Sequence, residues 1–409
     1  MNSNRSAKHS NNHKTSLLIL LIVLLYIGLS ILLPIRALSA TNSSNQLTIT
    51  TPPNNLPWPI KAEAAVGLSN GTILVSHGQQ TPKPTASVAK LITALAVLKK
   101  YPLNIGQSGP TITINSTYYG YYTKYLAGQG SIVPVYLGEK LTEYQMLEAM
   151  LIPSGDNIAD SLAAWAYGSL ANYDHFANNY VKQLGLDQTT VAGDASGYLP
   201  TTTSTANNLI KLGSYIMANP VLVSINKMAT VDVPNVGIMK NYDSLLGEDG
   251  IIGIKTGNSN QAGGVFLGAA QTTVNNRPVT LLTAVMGASG LNEALSDTVP
   301  LVISLENDFA QTTLVSAGEV LGEFKEPWGG IIQIKAKNNM TVYALKGQSI
   351  KTTIHINSLT IPSKAGTLIG TITSQANEFN SQKTDDLVLG QSTTRPSITW
   401  RLLNPTKVF

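Results

Sequence analysis

Ser87-Val88-Ala89-Lys90 sets a hydroxyl and an amine three residues apart. In a helix that spacing puts both side chains on one face. Lys90 is the lone charge in the apolar stretch Ala86–Leu98, and a lysine is rarely buried without a partner. Burial lowers a lysine from its reference pKa of about 10.4, which makes an amine in this setting a usable base for a serine that attacks a carbonyl. The first helical turn also offers backbone N–H groups and the positive end of the helix dipole to a developing oxyanion. The chemistry expected of such a pair is serine acyl transfer with lysine as the proton acceptor.

Two further clusters follow in order. Ser154-Gly155-Asp156-Asn157 comes straight after Pro153. Its Ser154 could relay a proton to a leaving amine, and Asn157 could hold a substrate amide. The bland alternative is a helix N-cap, a common position for Ser, Asp and Asn. Lys255-Thr256-Gly257, followed by Asn258, ends an apolar run from Ile251. A cation and a hydroxyl there could bind a substrate carboxylate, and Gly257 would allow close backbone approach. An edge strand at this place could pair with a peptide by strand addition. The bland alternative is a strand turning at Gly257-Asn258. Competing chemistries lack their residues. There is no cysteine, no G-x-S-x-G, no H-E-x-x-H and no Walker loop, and the five histidines are scattered; no metal or cofactor is expected.

The elements that must position these groups can be read from pattern. Ala64–Ser69 and Thr72–Ser76 form strands joined through Asn70-Gly71, a strong hairpin signal. Pro84-Thr85 starts the central helix, with Thr85 as N-cap. Residues 141–220 are helical, with breaks near Pro153 and Gly193. Strands follow at Ile251–Thr256, Val265–Gln271 and Val279–Met286, and Leu295–Phe309 closes as a helix. The tyrosines of 118–125 fit a packed or exposed loop better than a sugar platform. Strands at both ends with helices between them give an α+β layered domain over 60–311. Beyond it, residues 312–409 alternate with a period of two (Ile332, Ile334, Ala336; Ile350, Thr352, Ile354, Ile356) and contain no convincing helix, so a small separate all-β domain is expected.

Composition bounds the partners. Arg5, Lys8, Lys14 and Arg36 account for the whole formal charge of +4; the remainder is neutral, so nucleic acid is not an expected partner. Leu17–Leu33 is an uncharged apolar run close to bilayer-spanning length, with bases ahead of it. Residues 1–40 are therefore expected to be a cytoplasmic tail and an uncleaved membrane anchor, favoured over a cleaved signal. Residues 41–59, rich in Thr, Asn, Ser and Pro, fit a tether.

With these motifs in hand, the chain resembles the serine D-alanyl-D-alanine carboxypeptidases, low-molecular-mass penicillin-binding proteins of the type-5 kind. The resemblance spans about Ala64 to Phe309. It rests on Pro84-Thr85-Ala86-Ser87-Val88-Ala89-Lys90-Leu91, Leu151-Ile152-Pro153-Ser154-Gly155, and Gly253-Ile254-Lys255-Thr256-Gly257 with Ala262-Gly263 after it. It implies an α+β penicillin-binding/β-lactamase-like transpeptidase fold, an antiparallel sheet with a helical subdomain. Ser87 would be the acyl-ester nucleophile, Lys90 its proton acceptor and Ser154 a proton-transfer aid. Lys255 and Thr256 would bind the substrate carboxylate, and the N–H groups of Ser87 and Asn258 would form the oxyanion hole. The implied substrate is the D-Ala-D-Ala end of a peptidoglycan stem peptide, with β-lactams as covalent inhibitors and the bacterial envelope as location.

Three departures from the family pattern stand out. The family's asparagine two residues after the middle serine is Asp156 here, with Asn157 one further on; an i,i+3 relation would bring Asn157 to the Ser154 face. No Lys or Arg occurs between Arg277 and Lys325 to grip a terminal carboxylate, which leaves room for endopeptidase action. The C-terminal end, Arg401–Phe409 with Pro405, is too short for an amphipathic anchor, so the N-terminal helix would serve. A class A-like β-lactamase is the first alternative, but it needs a glutamate to activate the deacylating water, and none lies between Glu148 and Glu248. A catalytically weak envelope-binding module is the second.

Overall fold

The computed structural model describes residues 6–41, 46–51, 55–274, 276–375 and 382–408. The chain divides into two compact units. One comprises 52–310 with 345–348; the other comprises 1–51, 311–344 and 349–409.

The first unit is built on a five-stranded antiparallel sheet. Its order is Ile251–Ser259, Gly263–Val274, Arg277–Ala288, Glu63–Leu68, Ile73–His77. The Asn70-Gly71 hairpin forms as its sequence requires: Gly71 adopts φ +87°, and Thr72 N donates to Asn70 Oδ1. Both faces of the sheet are covered. Leu267, Ala269, Leu282 and Ala284 join the core shared with the helical layer. Phe266, Leu281 and Val285, which alternate with them along the strands, are also buried. The helix Leu291–Asp308 packs on these strands. The helix Ala206–Met217 packs on Glu63–Leu68 and Arg277–Ala288, and a methyl group at Gly213 would already touch Leu282 and Leu267.

At the centre of the helical layer lies Lys90–Lys100. Every residue from Lys90 to Leu98 is buried, as the lack of a polar face implies. Its start differs from expectation. Ala86–Ala89 is a 3₁₀ turn, and Thr85 makes no capping bond because its hydroxyl is directed to the carbonyls of Ala86 and Thr202. Helices Glu143–Leu151, Asp156–Tyr167 and Leu170–Gln183 surround it, with the break at Pro153-Ser154-Gly155. The tyrosine-rich stretch is a helix, Ser116–Ala127, and not a loop. Asn115 caps it by accepting from Tyr118 N, a cap that supplies the start signal masked by the aromatic run.

Glu143 opens the helix Glu143–Leu151 with a fully buried carboxylate. Neither oxygen has a hydrogen-bond partner among the described residues. Burial pushes its pKa up to about 7 from 4.5. An acid held above its unfolded value binds its proton more tightly in the native state, so native stability falls as pH rises from about 4.5 through about 7. The Glu143→Gln variant is expected to melt higher than wild type at pH 8, with the difference shrinking as the pH is lowered toward 4.5. Thermal melts across that range check it.

The second unit is a seven-stranded antiparallel sheet. Its order is Ala40–Thr41, Val320–Lys325, Ile331–Ala336, Lys383–Leu389, Leu368–Ser374, Ser349–Ile356, Gln46–Thr50. Phe324, Ile334, Ile354, Ile372 and Leu387 lie in its core. Two expectations are corrected here. Part of the stretch 41–59 read as a tether is strand: Leu47 and Ile49 alternate with polar residues, and Gln46–Thr50 pairs with Ser349–Thr353. Residues 42–45 and 52–54 of that stretch lie outside the described residues. The unit also has two short helices, Ile398–Leu403 and Pro405–Val408, the first capped by Ser397 accepting from Trp400 N.

Candidate active site

Ser87, expected in the first turn of the helix, lies in the 3₁₀ turn Ala86–Ala89, and the backbone before it is strained. Ala86, just before it, adopts φ +44°, a conformation that costs a non-glycine residue about 1–3 kcal/mol. Ser87 is half-buried and Lys90 is fully buried. Lys90 Nζ makes three polar contacts: Ser87 Oγ at 2.8 Å, Asp156 Oδ1 at 2.6 Å and the carbonyl oxygen of Ser196 at 3.1 Å. The amine is dry but not alone. Burial by itself was the expected means of tuning it; instead it shares a salt bridge with a carboxylate that is itself buried.

Asp156, and not Asn157, reaches Lys90. It is the first residue of its helix, where a carboxylate is favoured by the helix dipole. Its Oδ2 accepts from Ser131 N at 2.8 Å, and its own N–H donates to Ser131 O. The i,i+3 argument for Asn157 fails because Ser154 is not helical: it stands at φ +63°. Asn157 turns to Val133, accepting from its N–H at 3.0 Å and donating to its carbonyl at 2.9 Å. Its role is to pin the 131–133 segment beside the site. Ser154 is buried, and its hydroxyl has no partner among the described residues.

Lys255 and Thr256 lie on the edge strand Ile251–Ser259, both buried. Lys255 Nζ likewise has no hydrogen-bond partner among the described residues. Burial, then the charge of Lys90, push its pKa down to about 7, against the pull of Asp156 and Asp243. A bound carboxylate would draw it to the charged form. Gly257 is required by contact: a methyl group there would stand 2.9 Å from Thr85 O and 3.2 Å from Ser87 N. The strand therefore lies directly against the Ser87 turn. A cavity of about 250 Å³ opens between them, lined by Ser87, Ser131, Ser154, Tyr242, Thr256, Gly257, Asn258 and Leu291. It brings together the expected Ser87, Ser154, Thr256, Gly257 and Asn258.

A supporting loop lies outside the three motifs. Asp194 Oδ1 accepts from Ser196 N, Ser196 Oγ, Gly197 N and Tyr198 N, and its Oδ2 accepts from Leu199 N. This carboxylate-centred turn fixes the Ser196 carbonyl on Lys90. Gly197, at φ +74°, lies so close to the Ser87 turn that a methyl group would stand 2.0 Å from Ala86 O. Asp160 ties the same loop down from behind, accepting from Ala195 N and from the Tyr125 hydroxyl. Burial pushes Asp160 up to about 6. The signal available in the sequence was Asp194-Ala195-Ser196-Gly197, an Asx turn with a glycine at its left-handed position.

A sequence profile described as D-alanyl-D-alanine carboxypeptidase matches residues 49–290, more than half of the chain. The chain belongs to the D-alanyl-D-alanine carboxypeptidase family. It is 27% identical over 220 residues to the D-alanyl-D-alanine carboxypeptidase of a Streptomyces species, covering 48% of this chain and 72% of that one. Its fold is similar to that of penicillin binding protein 5 from Haemophilus influenzae, with a TM-score of 0.57, 19% identity, and coverage of 84% of this chain and 99% of that one. It is also similar to Penicillin-Binding Protein D2 from Listeria monocytogenes, solved in the ampicillin-bound form. There the TM-score is 0.50, with 25% identity and coverage of 62% and 99%. The transpeptidase-type α+β fold with a following β-rich unit is thus shared with penicillin-binding proteins. Asp156, two residues after Ser154, is the residue that touches Lys90.

Proposed function

We propose that the chain is a serine-type D-Ala-D-Ala carboxypeptidase that works through an acyl-ester on Ser87. The observation that carries this reading is the Lys90 amine, fully buried and 2.8 Å from the Ser87 hydroxyl. Ser87 Oγ attacks the carbonyl carbon between the two D-alanines, and the Lys90–Asp156 pair takes up its proton. The N–H groups of Ser87 and Asn258 receive the oxyanion. The leaving amine of the terminal D-alanine takes a proton by way of Ser154, and water then cleaves the ester. Ser154 Oγ and Lys255 Nζ, both buried and without partners among the described residues, are suited to bonds that form only with substrate. Lys255 and Thr256 are assigned to the terminal carboxylate, and the edge strand Ile251–Ser259 to the peptide backbone.

The substrate is a peptidoglycan stem peptide and β-lactams are covalent inhibitors, in keeping with the family and with the ampicillin-bound relative. The envelope is the corresponding location. The helix segment Lys14–Leu32 is long and apolar enough to cross a bilayer, and we assign it as an anchor. The absence of Lys and Arg between Arg277 and Lys325 favours a second activity, endopeptidase cleavage of cross-links, because a weakly gripped terminal carboxylate makes a chain end dispensable. A β-lactamase is disfavoured by the lack of glutamate between Glu148 and Glu248.

A fluorescent penicillin is expected to label the wild type stably and to leave Ser87→Ala unlabelled. Mass spectrometry of muropeptides exposed to the protein is expected to show loss of one alanine. Dimer splitting without alanine loss would make it an endopeptidase. An unlabelled wild type, or rapid penicillin turnover, would overturn the assignment.

A further inference from the structure

The apolar segment Lys14–Leu32 has 19 residues, about 28 Å of helix at 1.5 Å per residue, and a bilayer core is about 30 Å thick. A crossing therefore needs the whole segment. One face of its last two turns, however, is not free, although Leu29, Ile31 and Leu32 stay exposed. Lys14 to Leu25 are exposed, but Tyr26, Ile27 and Gly28 are partly covered and Ser30 is buried. Their cover is the short helix Ile398–Leu403 of the same compact unit. The Tyr26 hydroxyl donates to the Leu402 carbonyl, and Arg401 Nη2 donates to the Leu33 carbonyl. Tyr26 and Leu33 are seven residues apart, about 10 Å along the axis. The short helix thus lies beside the last 10 Å of the span.

A helix in that place cannot stay in bulk water if the span is inserted. Its composition agrees. Ile398 and Leu403 are 57% and 75% exposed, large apolar side chains directed away from the protein. Trp400 packs edge-on against Trp328, ring centroids 5.4 Å apart, at the turn between Val320–Lys325 and Ile331–Ala336. Paired tryptophans beside the end of a spanning helix are what the headgroup boundary of a bilayer selects. Arg36 and Lys407, both exposed, lie just beyond the apolar residues in sequence and can extend to headgroups.

We propose that Ile398–Leu403 and Trp328 form a second membrane contact, an interfacial foot that seats the β-rich unit in the leaflet where the anchor emerges. This rests on the assignment of Lys14–Leu32 as a membrane anchor. The occupant of the exposed apolar face is lipid, because the span to which the face is bonded cannot be covered by the bilayer without immersing it.

The test uses the full chain reconstituted into phosphatidylglycerol–phosphatidylethanolamine vesicles carrying brominated acyl chains. The protein has four tryptophans; Trp58 and Trp165 belong to the catalytic unit and stack on His77 and Tyr101. Bromolipid is expected to quench the wild type and to quench Trp328→Phe/Trp400→Phe at least fivefold less. Leu403→Glu, a substitution at an exposed position, is expected to halve the quenching with all tryptophans retained. Flotation with the vesicles reads the anchor separately. A chain that floats but is quenched no more than the double variant overturns the foot and leaves the face to a protein partner or a second copy. A chain that does not float overturns the anchor and the foot together.

Discussion

Lys90→Met is expected to lower the rate of penicillin acylation by about 10²–10⁴-fold, the range typical of losing a general base, and to lower stability as well. The second effect follows from Asp156. With the amine gone, a buried carboxylate keeps, among the described residues, only the Ser131 N–H as a partner, and breaking a buried ion pair from one side costs about 3–5 kcal/mol. The double variant Lys90→Met/Asp156→Asn removes the stranded charge while keeping an acceptor for Ser131 N. Its melting temperature is expected to recover most of the loss, and its acylation rate none of it. Stopped-flow acylation and thermal melts on both variants separate the two roles. If the single variant acylates at the wild-type rate, the lysine is not the proton acceptor.

Gly197→Ala is expected to cost about 10²-fold in acylation, the scale on which a displacement of about 1 Å at a catalytic group acts. The added methyl would meet the Ala86 carbonyl oxygen at 2.0 Å. Either the Asp194 turn or the Ser87 turn must move, and both bear on Lys90. Gly185→Ala is the control. Gly185 has a similar φ of +70° but open space at its methyl position, so it bears the backbone strain without the collision. It is expected to lose some stability and to acylate within about twofold of wild type. Equal acylation losses in the two variants would show that strain, and not contact with the Ser87 turn, sets the effect.

The parts of the site that depend on short-range spacing were legible. Ser87 and Lys90 sit one turn apart, and a helix without a polar face had to be central. The strand carrying Lys255–Gly257 was legible because its apolar run ends at a glycine. What could not be read was Asp156. Choosing between Asp156 and Asn157 depends on the backbone of Ser154, and a serine at φ +63° leaves no trace in a helical-spacing argument. Asp194 was hidden for a related reason: its work is done on backbone N–H groups, which every sequence has. In the β-rich unit, the alternation at 331–336 and 349–356 was plain. The strand Gln46–Thr50 was not, because five residues bounded by Ser, Asn and Pro give weak local evidence, and its partner is some 300 positions away.

That long-range pairing bears on how the protein is made. The hydroxyls of Thr50 and Ser349, 299 positions apart, lie within hydrogen-bond reach, and Gln46–Thr50 is the outermost strand of its sheet. During synthesis this ribbon has nothing to zip onto until the chain has emerged past residue 349. A nascent chain halted before residue 349 would carry Leu47 and Ile49 on a bare, sticky margin. Completion of the β-rich unit is therefore a late event of biogenesis, and fragments ending at the catalytic unit will need that orphaned ribbon trimmed away to remain monodisperse.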